Sequence, residues 1–272
     1  MNPVNEHDAN LPICATCGTQ YPAPRADCPV CRDDRQYVGW DGQRWTTHAE
    51  LAARFKLRTG EDAGLLAFAI DGKFAIPQRA LHLRTGAGNI LWECLNLVTN
   101  EAVAALNDFG GVDRIVISHP HFYASMLAWS EALGGVEILL HENDREWIAR
   151  PSPRIRLWRG DSLELSDDVT LLNTGGHFHG STALHWSRGP RGGTLFPGDA
   201  PQVADNRRRV AFMYSYPNYT PMAPSDVRRM REVLRPYDFE DVYGYSWGRN
   251  ILGGGRAAVD ASFDEFLRRV AA

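Results

Sequence analysis

The chain lacks any apolar stretch long enough to cross a membrane. Its longest plainly apolar run, 65–70, falls far short of the ~20 residues a spanning helix needs. The start, Met1-Asn2-Pro3-Val4-Asn5-Glu6-His7, has no basic region followed by an apolar one, so no secretory leader is expected. There is no basic excess either: 29 Lys and Arg stand against 33 Asp and Glu, a formal net charge of −4, which gives no reason to expect a nucleic-acid partner. Cysteine is nearly absent beyond residue 31, where only Cys94 occurs, alone in Leu91-Trp92-Glu93-Cys94-Leu95. It reads as an inert buried strand residue. Internal repeats and low-complexity segments are missing as well. These absences leave a soluble, cytoplasmic protein with neither membrane nor nucleic acid among its partners. A hydrophobic content of 44% and a charged content of 23% make it globular.

The length, 272 residues, fits one large domain with a small appendage. Residues 1–45 differ from the rest, being rich in Cys, Pro and Asp and poor in aliphatic residues. Such a segment cannot bury enough apolar surface to fold alone and needs a staple. Cys14-x-x-Cys17 and Cys28-x-x-Cys31 supply one: two turns, ten residues apart, presenting four thiolates that can close a tetrahedron around zinc. A pair of disulfides and a rubredoxin-like iron centre are the alternatives, although rubredoxins have a much longer gap between the pairs. A closed four-thiolate site has no open position, so its zinc is structural. Trp40 and Trp45 are expected to pack this ribbon against the main domain, 46–272.

From residue 46 the pattern changes. Thr47 and Glu50 form a capping box at a helix start. Short apolar or alternating runs follow at 65–70, 80–84 and 90–95, the last two joined by the glycine turn 85–89. Helices are expected at 101–109, 122–133, after 141 through 147, at 224–234 with Ser225 as N-cap, and at 257–270. Strands are expected at 112–118, 136–141, 154–165, 169–173, 182–187, 193–196 and 241–245. Many strands, then strand–helix alternation, then strands again predict an α+β chain: two sheets face to face with helices outside, a four-layer α/β/β/α sandwich.

Three strand ends carry the chemistry. They are Ser118-His119-Pro120-His121-Phe122-Tyr123-Ala124, Gly175-Gly176-His177-Phe178-His179-Gly180-Ser181 and Phe196-Pro197-Gly198-Asp199-Ala200. Imidazole and carboxylate at strand ends are what a divalent metal site is built from. His48, His82 and His185 read as structural, and His141 ends a strand that can face the cleft. The aromatic segment 212–219 either walls the cleft or packs under a long loop. Arg207-Arg208-Arg209 reads as a solvated loop or an anion-recognition patch beside the site.

At these motifs the chain resembles the metallo-β-lactamase-fold hydrolases over roughly residues 60–250. The family's opening His-x-His-x-Asp-His loop is matched by His119 and His121, its second loop by His177 followed by Gly180-Ser181, and its bridging aspartate by Asp199. Where the first loop would continue Asp-His, this chain has Tyr123 and Ala124. Where a late strand would end in His, it has Val242-Tyr243-Gly244-Tyr245-Ser246-Trp247-Gly248. The resemblance therefore implies one complete ligand set, His119, His121 and His177, and a second site reduced to Asp199. His179 either joins the metal, touches substrate or does neither. Tyr123 either donates a hydrogen bond to a developing oxyanion, serves as a weak ligand or fills the vacated space.

Three functions are compatible with these residues. The first is a hydrolase of thioesters, lactones or other esters, a small-molecule substrate class implied by the resemblance. One zinc on His119, His121 and His177 would carry the attacking water, and Asp199 would bind the metal or orient that water. The second is an oxygenase of thiols or persulfides with one iron on His119, His177 and Asp199. The third is a non-catalytic ligand-binding protein. The sequence leaves a homo-oligomer open.

Overall fold

Leu81 and Leu83 leave the strand Arg79–Thr85 on one face and Ala80 on the other, and this two-residue period organises the whole molecule. The computed structural model describes residues 3–271. Seven strands form the first sheet in the order Lys56–Asp62, Leu65–Asp71, Arg79–Thr85, Gly88–Trp92, Arg114–Val116, Glu137–His141 and Ile155–Trp158. The first four are antiparallel and the rest run parallel to Gly88–Trp92. Six strands form the second sheet: Ser162–Ser166, Val169–Asn173, Thr182–Trp186, Thr194–Phe196, Asp241–Tyr243 and Asn250–Leu252.

The inner faces of both sheets share one core. Leu81, Leu83, Val116 and Leu139 of the first meet Leu171, Leu184, Phe196 and Tyr243 of the second. The outer face of the first sheet, with Ala80, Ile115, Ile138 and Leu140, packs on Leu106 of the helix Asn100–Asp108 and Trp129 of the helix Met126–Ala132. The outer face of the second, with Leu172, Ala183, Leu195 and Val242, packs on Val227, Met230 and Leu234 of the helix Pro224–Leu234 and on Val259 and Phe263 of the helix Gly255–Val270. Helix, sheet, sheet and helix make the four layers.

The cysteine-rich segment leads directly into this body. Ile13–Cys14 pairs antiparallel with Trp45–Thr46. Thr47 then closes the expected capping box with Glu50 at the start of the helix His48–Arg54.

Several local expectations change. The run 154–165 is not one strand: Ile155–Trp158 edges the first sheet and Ser162–Ser166 opens the second, with Gly160 at φ +86° turning the chain between them. The expected helix 122–133 starts late. Pro120–Phe122 is a 3₁₀ turn, Ala124 takes φ +41°, and the helix runs Met126–Ala132. The helix Pro224–Leu234 has Ala223, not Ser225, at its N-cap, because proline at the first helical position already fixes the entry. The edge strand Lys56–Asp62 escapes the apolar pattern, being largely exposed. Trp40 is 100% exposed in the turn at Gly39–Gly42 and packs nothing, whereas Trp45 meets the Tyr21 ring edge-on at 5.6 Å. Among the described residues no helix is long and apolar enough to cross a membrane.

Candidate metal centre

Three loops at one end of the sandwich converge. His119 follows the strand Arg114–Val116 in extended conformation and opens the 3₁₀ turn that carries His121. His177 sits in the loop between Val169–Asn173 and Thr182–Trp186, entered through Gly175 at φ +62° and Gly176 at φ +80°. Asp199 follows Thr194–Phe196, just past Gly198 at φ +58°. A Cβ at Gly198 would stand 2.4 Å from Ser118 Oγ, so glycine is what lets the aspartate turn come so close to the histidine turn. The backbone N–H of Thr182 donates to Ser118 O at 2.9 Å, fastening the His177 loop to the His119 turn. Gly180 N–H donates to Asp144 Oδ1 at 2.7 Å and Phe178 N–H to Ser181 Oγ at 2.8 Å, which close the His177 loop.

The result is a buried cluster of His119, His121, His177 and Asp199 whose ligand atoms all lie within 4.8 Å of one another. His177 Nδ1 bonds Met213 O at 3.1 Å. A carbonyl only accepts, so Nδ1 carries the proton and Nε2 is left as the basic nitrogen. His119 Nδ1 is engaged by Ser118 Oγ at 2.8 Å, which again leaves Nε2 for the cluster. Burial and the neighbouring His119 push the His177 pKa down to about 4, and burial with His177 and His119 holds His121 well below its ordinary value. These rings are neutral at pH 7, the form that ligates. Burial alone would raise the Asp199 carboxyl, but the neighbouring His119 and His177, with the Gln202 hydrogen bond, hold it low.

Whether these residues fit a metal ion can be tested on their own hydrogen bonding. His119 Nε2 and His121 Nε2 are buried with no hydrogen-bond partner. A buried polar atom left unsatisfied costs about 1–3 kcal/mol; with His177 Nε2 and His121 Nδ1 facing each other at 3.2 Å and His119 Nε2 unpartnered in the same cluster, the site calls for a partner that is not protein. A cation meets that need, and the donor set, imidazole with carboxylate, suits a divalent transition metal. The Asp199 carboxylate is already divided: Gln202 Nε2 donates to Oδ1 at 2.7 Å, while Oδ2 stands 3.5 Å from His119 Nε2 and 3.9 Å from His177 Nε2.

A cavity of about 220 Å³ opens on this cluster. It is bordered by His121, His177 and Asp199 and walled by Ile76, Tyr216 and Tyr245. Three residues of the cysteine-rich segment, Thr16, Gln36 and Tyr37, complete the wall.

The other candidates lie elsewhere. His179, two residues past His177, is exposed and lines a separate polar cleft with Asn143, Asn173 and Arg229, outside the four-residue cluster. Tyr123 is buried and borders a small cavity against Thr19, Gln20 and Arg150, not the space beside the four ligands. His141 bonds Gly160 O at 3.0 Å and Asn173 Nδ2 at 3.1 Å. His48, His82 and His185 each bond a backbone group, of Val98, Gly111 and Asp238. Cys94 is fully buried. Arg207, Arg208 and Arg209 lie on an exposed turn. Tyr216, from the aromatic segment, lines the pocket and donates to Asp199 O at 3.1 Å. Gln202 was not marked by any motif, and three residues from Asp199 its position was the only signal.

The second cluster, Cys14, Cys17, Cys28 and Cys31, is buried, with all four sulfurs mutually within 4.8 Å. Cys14 Sγ lies 3.5 Å from Cys31 Sγ and Cys17 Sγ 3.5 Å from Cys28 Sγ; all are free thiols, not disulfides. Gln43 Nε2 donates to Cys14 Sγ at 3.2 Å, and Tyr21 Oη is 3.1 Å from Cys28 Sγ. Four sulfurs packed so closely fit a tetrahedral ion.

Two face-to-face sheets flanked by helices, with His-x-His, His and Asp gathered at one end, define a metallo-β-lactamase-fold protein carrying a four-cysteine cluster ahead of the sandwich. The structure of DIM-1 metallo-β-lactamase exposed to ceftazidime aligns with a TM-score of 0.57 at 14% identity, over 80% of this chain and 98% of that one. The structure of TMB-1 aligns with 0.57 at 11% identity, over 79% and 99%. At such identities the likeness is one of fold. No family model matches the chain. In sequence it is 37% identical over 238 residues to the uncharacterized protein YmaE of Bacillus subtilis (strain 168), covering 85% of this chain and 86% of that one. The chain belongs to the same family as YmaE.

Proposed function

We propose that this protein is a metal-dependent hydrolase working through a single ion held by His119, His121 and His177, with Asp199 at its edge. The observation that carries this reading is the gathering of one ligand atom each from His119, His121, His177 and Asp199 within 4.8 Å of one another, with His119 Nε2 buried and without a hydrogen-bond partner. A single ion is favoured because, among the described residues, no further histidine or carboxylate joins these four. Gln202 occupies Asp199 Oδ1, Tyr123 and Ala124 stand after His121, and Tyr245 walls the pocket on the late strand's exit. Neutral imidazoles leave the ion its full charge, and when bound it supplies Lewis acidity toward a carbonyl and lowers the pKa of a water.

The chain's own residues do the rest. Asp199, ionised and held by Gln202, is the carboxylate able to orient a water and take up its proton at Oδ2. Ile76, Pro77, Tyr216, Pro217 and Tyr245 give the cavity apolar and aromatic walls, suited to the hydrocarbon part of a small ester, thioester or lactone. Burial raises the Tyr245 phenol above its usual range, so it stays neutral.

Elemental analysis of the purified full chain tests the reading. Two ions are expected per chain, falling to one in His119→Ala together with loss of turnover across an ester, thioester and lactone panel. Turnover that survives His119→Ala would sink the assignment. Iron in the histidine cluster with oxygen uptake on thiols would transfer it to oxygen chemistry.

A further inference from the structure

Arg35 belongs to the cysteine-rich segment, yet its guanidinium lies among the supports of the metal cluster. It is 7% exposed. Its Nε and Nη2 donate to the two carboxylate oxygens of Asp33, at 2.5 and 2.7 Å, and its Nη1 donates to the backbone oxygen of His177 at 3.3 Å. The guanidinium plane covers Phe178 at 4.0 Å from the ring centroid. Three histidines also meet that ring, His121 at 4.9 Å, His177 at 5.2 Å and His119 at 5.6 Å between centroids, and Trp147 meets it edge-on at 5.6 Å. Phe178 is therefore wedged between the Arg35 cation and the imidazoles.

The strand of chain carrying Arg35 is itself fixed by the main body. Three successive carbonyls are held: Asp34 O and Gln36 O accept from Asn218 Nδ2 at 2.9 and 3.0 Å, and Arg35 O accepts from Ser215 Oγ at 3.2 Å. Immediately after Arg35 the chain delivers Gln36 and Tyr37 to the wall of the cavity, while Thr16, between the first two cysteines, reaches the same wall. A buried cation with a bidentate carboxylate partner and its third donor aimed at a ligand's own backbone is a specific arrangement. A segment serving only as a cap would not need it.

We propose that the cysteine-rich segment is a working part of the metal pocket, and that Arg35 is a positioning residue for His177 while Gln36 and Tyr37 shape the substrate space. This rests on the metal-centre reading above. Positioning acts on the ligand through its loop: losing Arg35 frees both the His177 carbonyl and Phe178, and supporting contacts of this kind are worth roughly 10–100-fold in metal affinity.

The test uses the full chain stripped of metal and titrated with cobalt(II). Thiolate charge-transfer bands report the four-cysteine cluster, and ligand-field bands without them report the histidine cluster. In Arg35→Lys the charge remains but the planar fork is lost. The charge-transfer titration should match the parent, while cobalt affinity at the histidines falls roughly 10–100-fold and amides of residues 175–181 exchange faster with deuterium. Unchanged affinity and unchanged exchange would overturn the proposal. Should Arg35→Lys weaken the charge-transfer bands by disturbing the segment, Asp33→Asn, which frees the fork and keeps the arginine, is read by the same two signals. The exchange measurement needs no ion. A parent that takes up no cobalt at the histidines would fail the metal reading, while the exchange rates would still decide the role of Arg35.

Discussion

Gly198 and Asp144 show how single residues set the geometry of the centre. At Gly198 a methyl group would meet Ser118 Oγ at 2.4 Å in a backbone with φ +58°. Gly198→Ala is therefore expected to cost about 1–3 kcal/mol in a denaturant melt and to weaken metal uptake, because Ser118 holds His119 Nδ1. A variant as stable and as well loaded as the parent would contradict the close approach. Asp144 is buried, receives Gly180 N–H, and has its pKa pushed up to about 7 by burial, partly opposed by that hydrogen bond and by Arg35. A carboxyl with a raised folded pKa prefers to be protonated in the native state. The native state then binds more protons than the unfolded chain between pH 3.8 and about 7, and stability falls as pH rises through that window. Asparagine mimics the protonated form and keeps an oxygen for Gly180. Relative to Asp144→Asn, the parent should thus lose on the order of 4 kcal/mol across the window and show a flat difference above it. A constant difference from pH 4 to 8, measured by denaturant melts, would refute the burial argument.

At the level of elements, the sequence signals that proved readable were local ones. The capping box at Thr47 and Glu50, the glycine hairpin between Arg79–Thr85 and Gly88–Trp92, and the His-x-His after an apolar strand each sit within a few residues, where backbone rules decide the outcome. The signals that failed needed tertiary context. Ile155 and Leu157 before Gly160 and Leu163 and Leu165 after it keep the same two-residue phase, so the period alone does not reveal that the chain changes sheets there. Lys56–Asp62 is a strand because Leu65–Asp71 supplies its hydrogen bonds, not because its charged residues favour one. Arg35 meets the backbone of a residue 142 positions later, a contact no spacing rule carries. The two tryptophans of the segment make the same point in a measurable way. Trp40→Ala should change stability by no more than about 0.5 kcal/mol, as for an exposed position. Trp45→Ala should cost roughly 2 kcal/mol through loss of its packing on Tyr21. Equal effects in thermal melts would mean the segment docks differently.

For the whole molecule, the two clusters are joined by a short physical route. The cysteines fold the segment, the segment presents Arg35, and Arg35 holds the carbonyl and the ring that flank the third histidine. If each ion binds only the folded arrangement of its own cluster, filling the cysteine site favours the position of Arg35 that favours the histidine site. Linkage then requires the reverse with the same factor. The coupling free energy for such two-site systems is typically about 1–3 kcal/mol, or roughly 5–150-fold in affinity. The expected result is that zinc affinity at the histidine cluster, measured by competition with a chelator, is higher when the cysteine cluster is loaded than in a Cys14→Ser chain. In Arg35→Lys that difference should shrink toward zero, because the route is cut while both ligand sets remain. A loss in Cys14→Ser that persists undiminished in Arg35→Lys would mean that the segment communicates by another path, such as the Arg150 contacts with Gln20 and Asp8 at 2.6 and 2.7 Å. Equal affinities in the parent and Cys14→Ser would mean that the two centres, though docked on one another's supports, bind their ions independently.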